Sequence, residues 1–235
     1  MAMLLLGTFS RAERCPKSGE RPGYWSKFAV AVCGHGTTNQ MHLQMRSPDG
    51  TKLLFAKGEG FEGTFYLKSG DQGTPQELFG AREGDEVLWS PDSKAVALTT
   101  CFGANGPCRA DTTLDDDTFS PFEIVQKTFT AGHEDDECYT GANVGALTWE
   151  DGSDKIVLIA QVPNLNCDGH NPGYFEAFVV SFSERKVISR YNMQETTHRW
   201  HGVFGKGMRD DIAYVRENAK GARKGLTAAI GRIAV

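Results

Sequence analysis

The stretch Asp85–Cys101, DEVLWSPDSKAVALTTC, decides the fold. An apolar run, Glu86 to Trp89, enters the turn Ser90-Pro91-Asp92-Ser93-Lys94, and a second run, Ala95 to Thr99, leaves it. Proline presets φ for the first central position of a turn, and an aspartate after it can hydrogen-bond the backbone ahead. The stretch therefore reads as a β-hairpin with one apolar edge.

The pattern recurs. Around Ser47 the chain reads MRSPDGTKLLFA, and around Trp149 it reads ALTWEDGSDKIVLIA. The first repeat continues through strands at Leu53–Ala56, Thr64–Lys68 and Gln76–Phe79, separated by Gly70, Gly73 and Pro75. The second carries the polar excursion Cys101–Ser120 and resumes as a strand at Phe122–Lys127. The third places strands at Ala146–Trp149, Lys155–Val162, Tyr174–Phe182 and Lys186–Tyr191, with its own excursion at Pro163–Gly173. Trp200–Phe204, Asp211–Arg216 and Leu226–Val235 read as three more strands, and no segment shows sustained helical periodicity. A four-strand unit recurring every 40-odd residues is the pattern of a β-propeller blade.

These residues resemble the TolB-like propeller repeat of exported bacterial proteins. SPDGTKLLFAKGE followed by TFYLKSGDQGTPQELF, and then VLWSPDSKAVALT, carry the resemblance over about residues 41–191. The third repeat departs from it, with Glu150-Asp151-Gly152 in place of Ser-Pro-Asp. The first has Arg46 where the others have Trp89 and Trp149. The resemblance implies an all-β, propeller-like fold; such propellers usually have six or seven blades, and this chain has room for about four antiparallel ones of three or four strands each. A partial propeller and a two-sheet sandwich remain as alternatives. Trp89 and Trp149, at equivalent positions, are expected to pack between blades rather than to stack on a ligand.

With 40% hydrophobic and 23% charged residues, the composition is that of a globular chain with a core. A net charge of −5 excludes the basic footprint of a nucleic-acid binder. No apolar run reaches the ~20 residues of a membrane-spanning helix. Residues 1–12 read as a signal-peptide remnant cleaved after Ala12, with a first strand as the alternative. Residues 13–26 read as an N-terminal arm, and 27–235 as one propeller-like domain. Six cysteines in turn-rich loops suit an oxidising compartment, periplasmic or secreted. Cys101 and Cys108 flank the turn formers Gly103, Asn105, Gly106 and Pro107 and are expected to bond. Cys138 with Cys167 is the next pair, and Cys15 and Cys33 stay unassigned. Zinc does not compete, because no CxxC pair is present.

No Gly-x-Ser-x-Gly elbow, phosphate-cradling loop or EF-hand spacing occurs, so neither cofactor nor metal is expected. His198 and His201, three apart, would face opposite sides of a strand. The excursions Cys101–Ser120, Thr130–Gly141 and Pro163–Gly173 are long enough to carry function. On one face they would present Asp115, Asp116, Asp117, His133, Asp135, Asp136, Glu137, Asp168 and His170. Such an acidic patch with two imidazoles suits a cationic partner. The chain thus reads as an exported, non-enzymatic module that binds a protein or glycan partner. The alternatives are an exported hydrolase with two close carboxylates in a cleft and a fragment of a larger propeller.

Overall fold

The computed structural model describes residues 20–35, 40–59, 62–101, 107–114, 117–163 and 173–216. A short hairpin comes first, β1 (Glu20–Pro22) on β2 (Val30–His35). Three four-stranded antiparallel units follow among the described residues. The first holds β3 (Gln40–Arg46), β4 (Lys52–Glu59), β5 (Glu62–Ser69) and β6 (Gln76–Arg82). The second holds β7 (Glu86–Trp89), β8 (Ala95–Cys101), β9 (Cys108–Leu114) and β10 (Asp117–Phe119). Two helices intervene, α1 (Phe122–Thr130) and α2 (Glu137–Thr140). The third unit holds β11 (Asn143–Glu150), β12 (Lys155–Gln161), β13 (Phe175–Ser181) and β14 (Lys186–Tyr191). Helix α3 (Met193–Trp200) and a helical stretch over 206–216 complete the described chain.

Each unit is a meander of neighbouring strands, as a propeller blade requires. Of the readings left open, the partial propeller is the one found. Strand β2 adds a link that the repeats do not foretell. Its first half pairs with β7 (Val30↔Val87) and its second with β3 (Cys33↔His42), so the first two sheets share it. One ladder then runs unbroken through both units.

The two Ser-Pro-Asp turns fold alike because the same atoms do the same work. Ser47 and Ser90 are buried, and each donates its hydroxyl to the aspartate two residues on (Ser47 to Asp49, 2.6 Å; Ser90 to Asp92, 2.7 Å). Each hydroxyl also accepts the backbone N–H that opens the next strand, from Lys52 and Ala95, both at 2.9 Å. The fourth position is left-handed in both turns, Gly50 at φ +74° and Ser93 at φ +62°. A serine there is strained relative to glycine. Its hydroxyl accepts Asp49 N–H from the neighbouring unit's turn at 2.9 Å, which gives the strain a structural return.

Apolar faces stack the units. Leu54, Phe65, Val87, Trp89 and Leu98 fill the space between the first and second. Ala97, Ala110, Leu158, Phe178 and Trp149 fill that between the second and third, closed at the side by Phe122, Val125 and Phe129 of α1. The far face of the third unit is covered by Trp25, Trp200, Phe204, Met208 and Ile212. Trp25, inside the stretch read as an arm, is a fully buried part of that layer.

Three strand expectations are corrected. Phe122–Lys127 belongs to α1, because Phe122, Val125 and Phe129 share one helical face and bury it. Trp200–Phe204 and Asp211–Arg216 are not strands: Trp200 ends α3, and 211–216 lies in the last helical stretch, with Met208 and Ile212 packed inward. The excursion Cys101–Ser120 is largely ladder, since it contains β9 and β10. Leu226–Val235 lies outside the described residues.

Candidate functional site

The three inner strands, β3, β7 and β11, end beside one another. Met45 and Arg46, Leu88 and Trp89, and Thr148 and Trp149 line a cavity of about 330 Å³ there. These are equivalent positions of the three repeats, so the stacking of the units alone brings them together. Pro48 and Pro91, the turn prolines, extend the rim, and Phe28 ahead of β2 closes another side. Phe28 is 55% exposed at the edge of this cavity.

Trp149 donates its indole N–H to Leu88 O at 3.2 Å, tying the third unit to the second. Both tryptophans are buried and pack between units, as expected. Trp89 differs in one respect: its indole nitrogen is buried with no hydrogen-bond partner among the described residues. Arg46 is exposed and donates from Nη1 to Gly50 O at 3.2 Å. Lys27 Nζ stands 4.9 Å from the centre of the Phe28 ring. Among the described residues, no carboxylate lines the cavity.

Asp49 and Asp92, which follow the rim prolines, are committed to their own turns. Hydrogen bonds from the Ser47 hydroxyl and from Thr51 hold the Asp49 carboxyl down at about 2. Partial burial works against Asp92, but hydrogen bonds from Ser90, Lys94 N–H and Ser153 keep it below the usual carboxylate range. The Ser93–Asp49 and Ser153–Asp92 contacts link the three turns in series around this end.

Of the acidic-patch residues singled out in the sequence, the described ones occupy two places, Asp117 in one and His133, Asp135, Asp136 and Glu137 in the other. Asp117 pairs with Leu114, next to Ala95, and so lies at the Ser-Pro-Asp end, where it bridges Arg185 at 2.6 Å. Cys101 and Cys108 lie at the opposite end of the same strands, where Cys108 N–H donates to Asn143 at 2.8 Å. The His133 segment is near that opposite end as well, since His133 stacks on Tyr139, which continues through Phe129 to Tyr174. Asp136 caps α2 by accepting Cys138 N–H at 2.9 Å, and Glu137 occupies the first turn of that helix. Asp135 is exposed. Asp115, Asp116, Asp168 and His170 lie outside the described residues. Asp117 and the His133 segment are therefore not brought together. Among the described residues, no cluster of three or more His, Cys, Asp or Glu suited to a metal is present.

Cys101 and Cys108 are disulfide-bonded with Cα atoms 4.0 Å apart, closing the β8–β9 connection as expected. Cys33 and Cys138 are each in a disulfide as well. The Cys138–Cys167 pairing involves a residue outside the described ones. No helix among the described residues is long and apolar enough to cross a membrane.

No protein-family model matches the chain, and no curated protein matches its sequence. Solved structures are similar to part of it. The β-propeller domain of the Trilobed protease from Pyrococcus furiosus is 12% identical with a TM-score of 0.38, over 64% of this chain and 42% of that one. TolB from Acinetobacter baumannii is 14% identical with a TM-score of 0.39, over 73% and 42%. A putative TolB from Agrobacterium tumefaciens is 10% identical with a TM-score of 0.35, over 73% and 66%. This chain thus spans less than half the length of the first two.

Proposed function

We propose that this chain is an exported, non-enzymatic binding module that takes a polypeptide partner at the cavity where the three inner strands end. The observation that carries this is the convergence of equivalent apolar residues from three repeats on one opening, with Phe28 left exposed at its lip. Concave, largely apolar sites with a few polar groups are where ligands bind. A hydrolase would need paired carboxylates in such a cleft, and the described residues of the lining include none. Export is supported by the Cys101–Cys108 bond and the bonded state of Cys33 and Cys138, since disulfides persist in oxidising compartments.

A displayed random heptapeptide library panned on the folded protein tests this reading. Enrichment is expected, lost in Phe28→Glu and kept in Ile188→Glu, a substitution of another exposed apolar residue, on β14. Absence of enrichment, or enrichment indifferent to Phe28→Glu, would refute it.

A further inference from the structure

Resting on that reading, we propose that the occupant is an extended polypeptide segment with an aromatic side chain next to an acidic one. The aromatic ring enters the cavity against Trp89 and Trp149, and the carboxylate pairs with Arg46.

Three observations on this site support it. The first is charge. Arg46 occupies, in one repeat only, the place that tryptophan holds in the other two, so one side of an aromatic cavity is cationic. Lys27 adds a second positive charge over Phe28 at the lip. Against these, no acid among the described residues lines the cavity, and Asp49 and Asp92 are engaged by their own turns. A guanidinium has five donors, and Nη1 of Arg46 gives one hydrogen bond to Gly50 O, which leaves capacity for a carboxylate.

The second is size and lining. A volume of about 330 Å³ is at the small end of ligand sites, which run ~300–1,000 Å³. It suits one large side chain better than a cofactor or an oligosaccharide. Tryptophan, leucine and methionine walls favour an aromatic ring, through area burial and edge or offset ring contacts.

The third is the rim. Exposed Phe28, Pro48 and Pro91 continue the apolar surface beyond the opening. A free aromatic acid would fill the cavity and leave this rim bare, whereas a polypeptide continuing on both sides of the ring covers it.

Titration of the full, disulfide-bonded chain with blocked tetrapeptides followed by calorimetry tests the proposal. The probes are acetyl-Gly-Phe-Asp-Gly-amide, its Asn and Lys counterparts, and phenylacetate. The Asp peptide is expected to bind about fivefold tighter than the Asn peptide, close to the most that an exposed ion pair supplies. It is also expected to bind tighter than the Lys peptide and phenylacetate. Arg46→Gln should remove the Asp–Asn difference and leave the melting temperature in place. Equal binding of all three peptides, each lost in Phe28→Glu, would overturn the acidic preference while leaving the binding site standing. Phenylacetate binding as tightly as the Asp peptide would overturn the polypeptide assignment. Binding of none of them, together with no library enrichment, would overturn both.

Discussion

Ser93 holds the left-handed position of its turn at φ +62°, where Gly50 stands in the preceding repeat. Serine is kept there because its hydroxyl accepts Asp49 N–H, joining two units. Ser93→Gly would relieve the backbone and lose the acceptor, a near-neutral exchange. Ser93→Ala would lose the acceptor and keep the strain, costing about 1 kcal/mol or more. Denaturant unfolding of both variants checks the order, and an alanine variant as stable as the glycine one would contradict it. Gly145 carries a tighter constraint. A β-carbon there would stand 2.1 Å from the Trp25 indole, which is itself fully buried. Gly145→Ala should therefore displace Trp25 and destabilise the fold by about 1–3 kcal/mol. A quenched or shifted tryptophan emission in the native state should accompany the loss. An unchanged melting temperature would refute this contact.

At the scale of elements, helix α3 shows a signal that was present and overlooked. Asn192 accepts N–H from Gln194 and Glu195, and the Glu195 carboxylate accepts Asn192 N–H at 3.0 Å, a capping box written as Asn-x-x-Glu. Asn192→Ala should cost about 1 kcal/mol. Thermal melts that do not move would show that the helix is held by Trp200 alone. The hairpins were legible because proline, aspartate and a buried serine act within five residues of one another. Helix α1 was less so: FEIVQK by itself also suits a strand, and only Phe129 extends the apolar spacing to a second helical turn. Half of the cavity could be read as well. Trp89 and Trp149 were recognisable as equivalents, and Arg46 as the exception. Their meeting could not be read, because it depends on three strand ends separated by up to a hundred residues, and on Phe28, which belongs to no repeat. The end at which Asp117 stands was hidden for a related reason. A run of carboxylates in sequence says nothing of which end of a blade it occupies, and β9 carries Asp117 to the end opposite Cys101.

For the whole molecule, two neighbouring acids set the response to pH. Burial pushes Asp85 and Glu86 up to about 7 each, against Arg82 N–H donating to the first and Tyr24 and Trp25 N–H donating to the second. Groups whose folded value is raised stabilise the fold below their unfolded value, near 4, and that contribution is lost as pH rises through 7. Asp49, held at about 2, acts in the opposite sense and weakens the fold only below pH 4. The melting temperature should accordingly be higher at pH 5 than at pH 8 by about 5 °C, with Asp85→Asn flattening the difference. A profile that rises toward pH 8 would contradict this. The central claim is that three repeats converge on one binding cavity, and the four tryptophans report on it directly. Trp89 and Trp149 line the cavity, while Trp25 and Trp200 lie in the layer on the far face of the third unit. Fluorine NMR of 5-fluorotryptophan-labelled protein, titrated with acetyl-Gly-Phe-Asp-Gly-amide, should move the Trp89 and Trp149 resonances together and leave the other two in place. Movement confined to Trp25 and Trp200, or no movement at saturating peptide, would contradict the account.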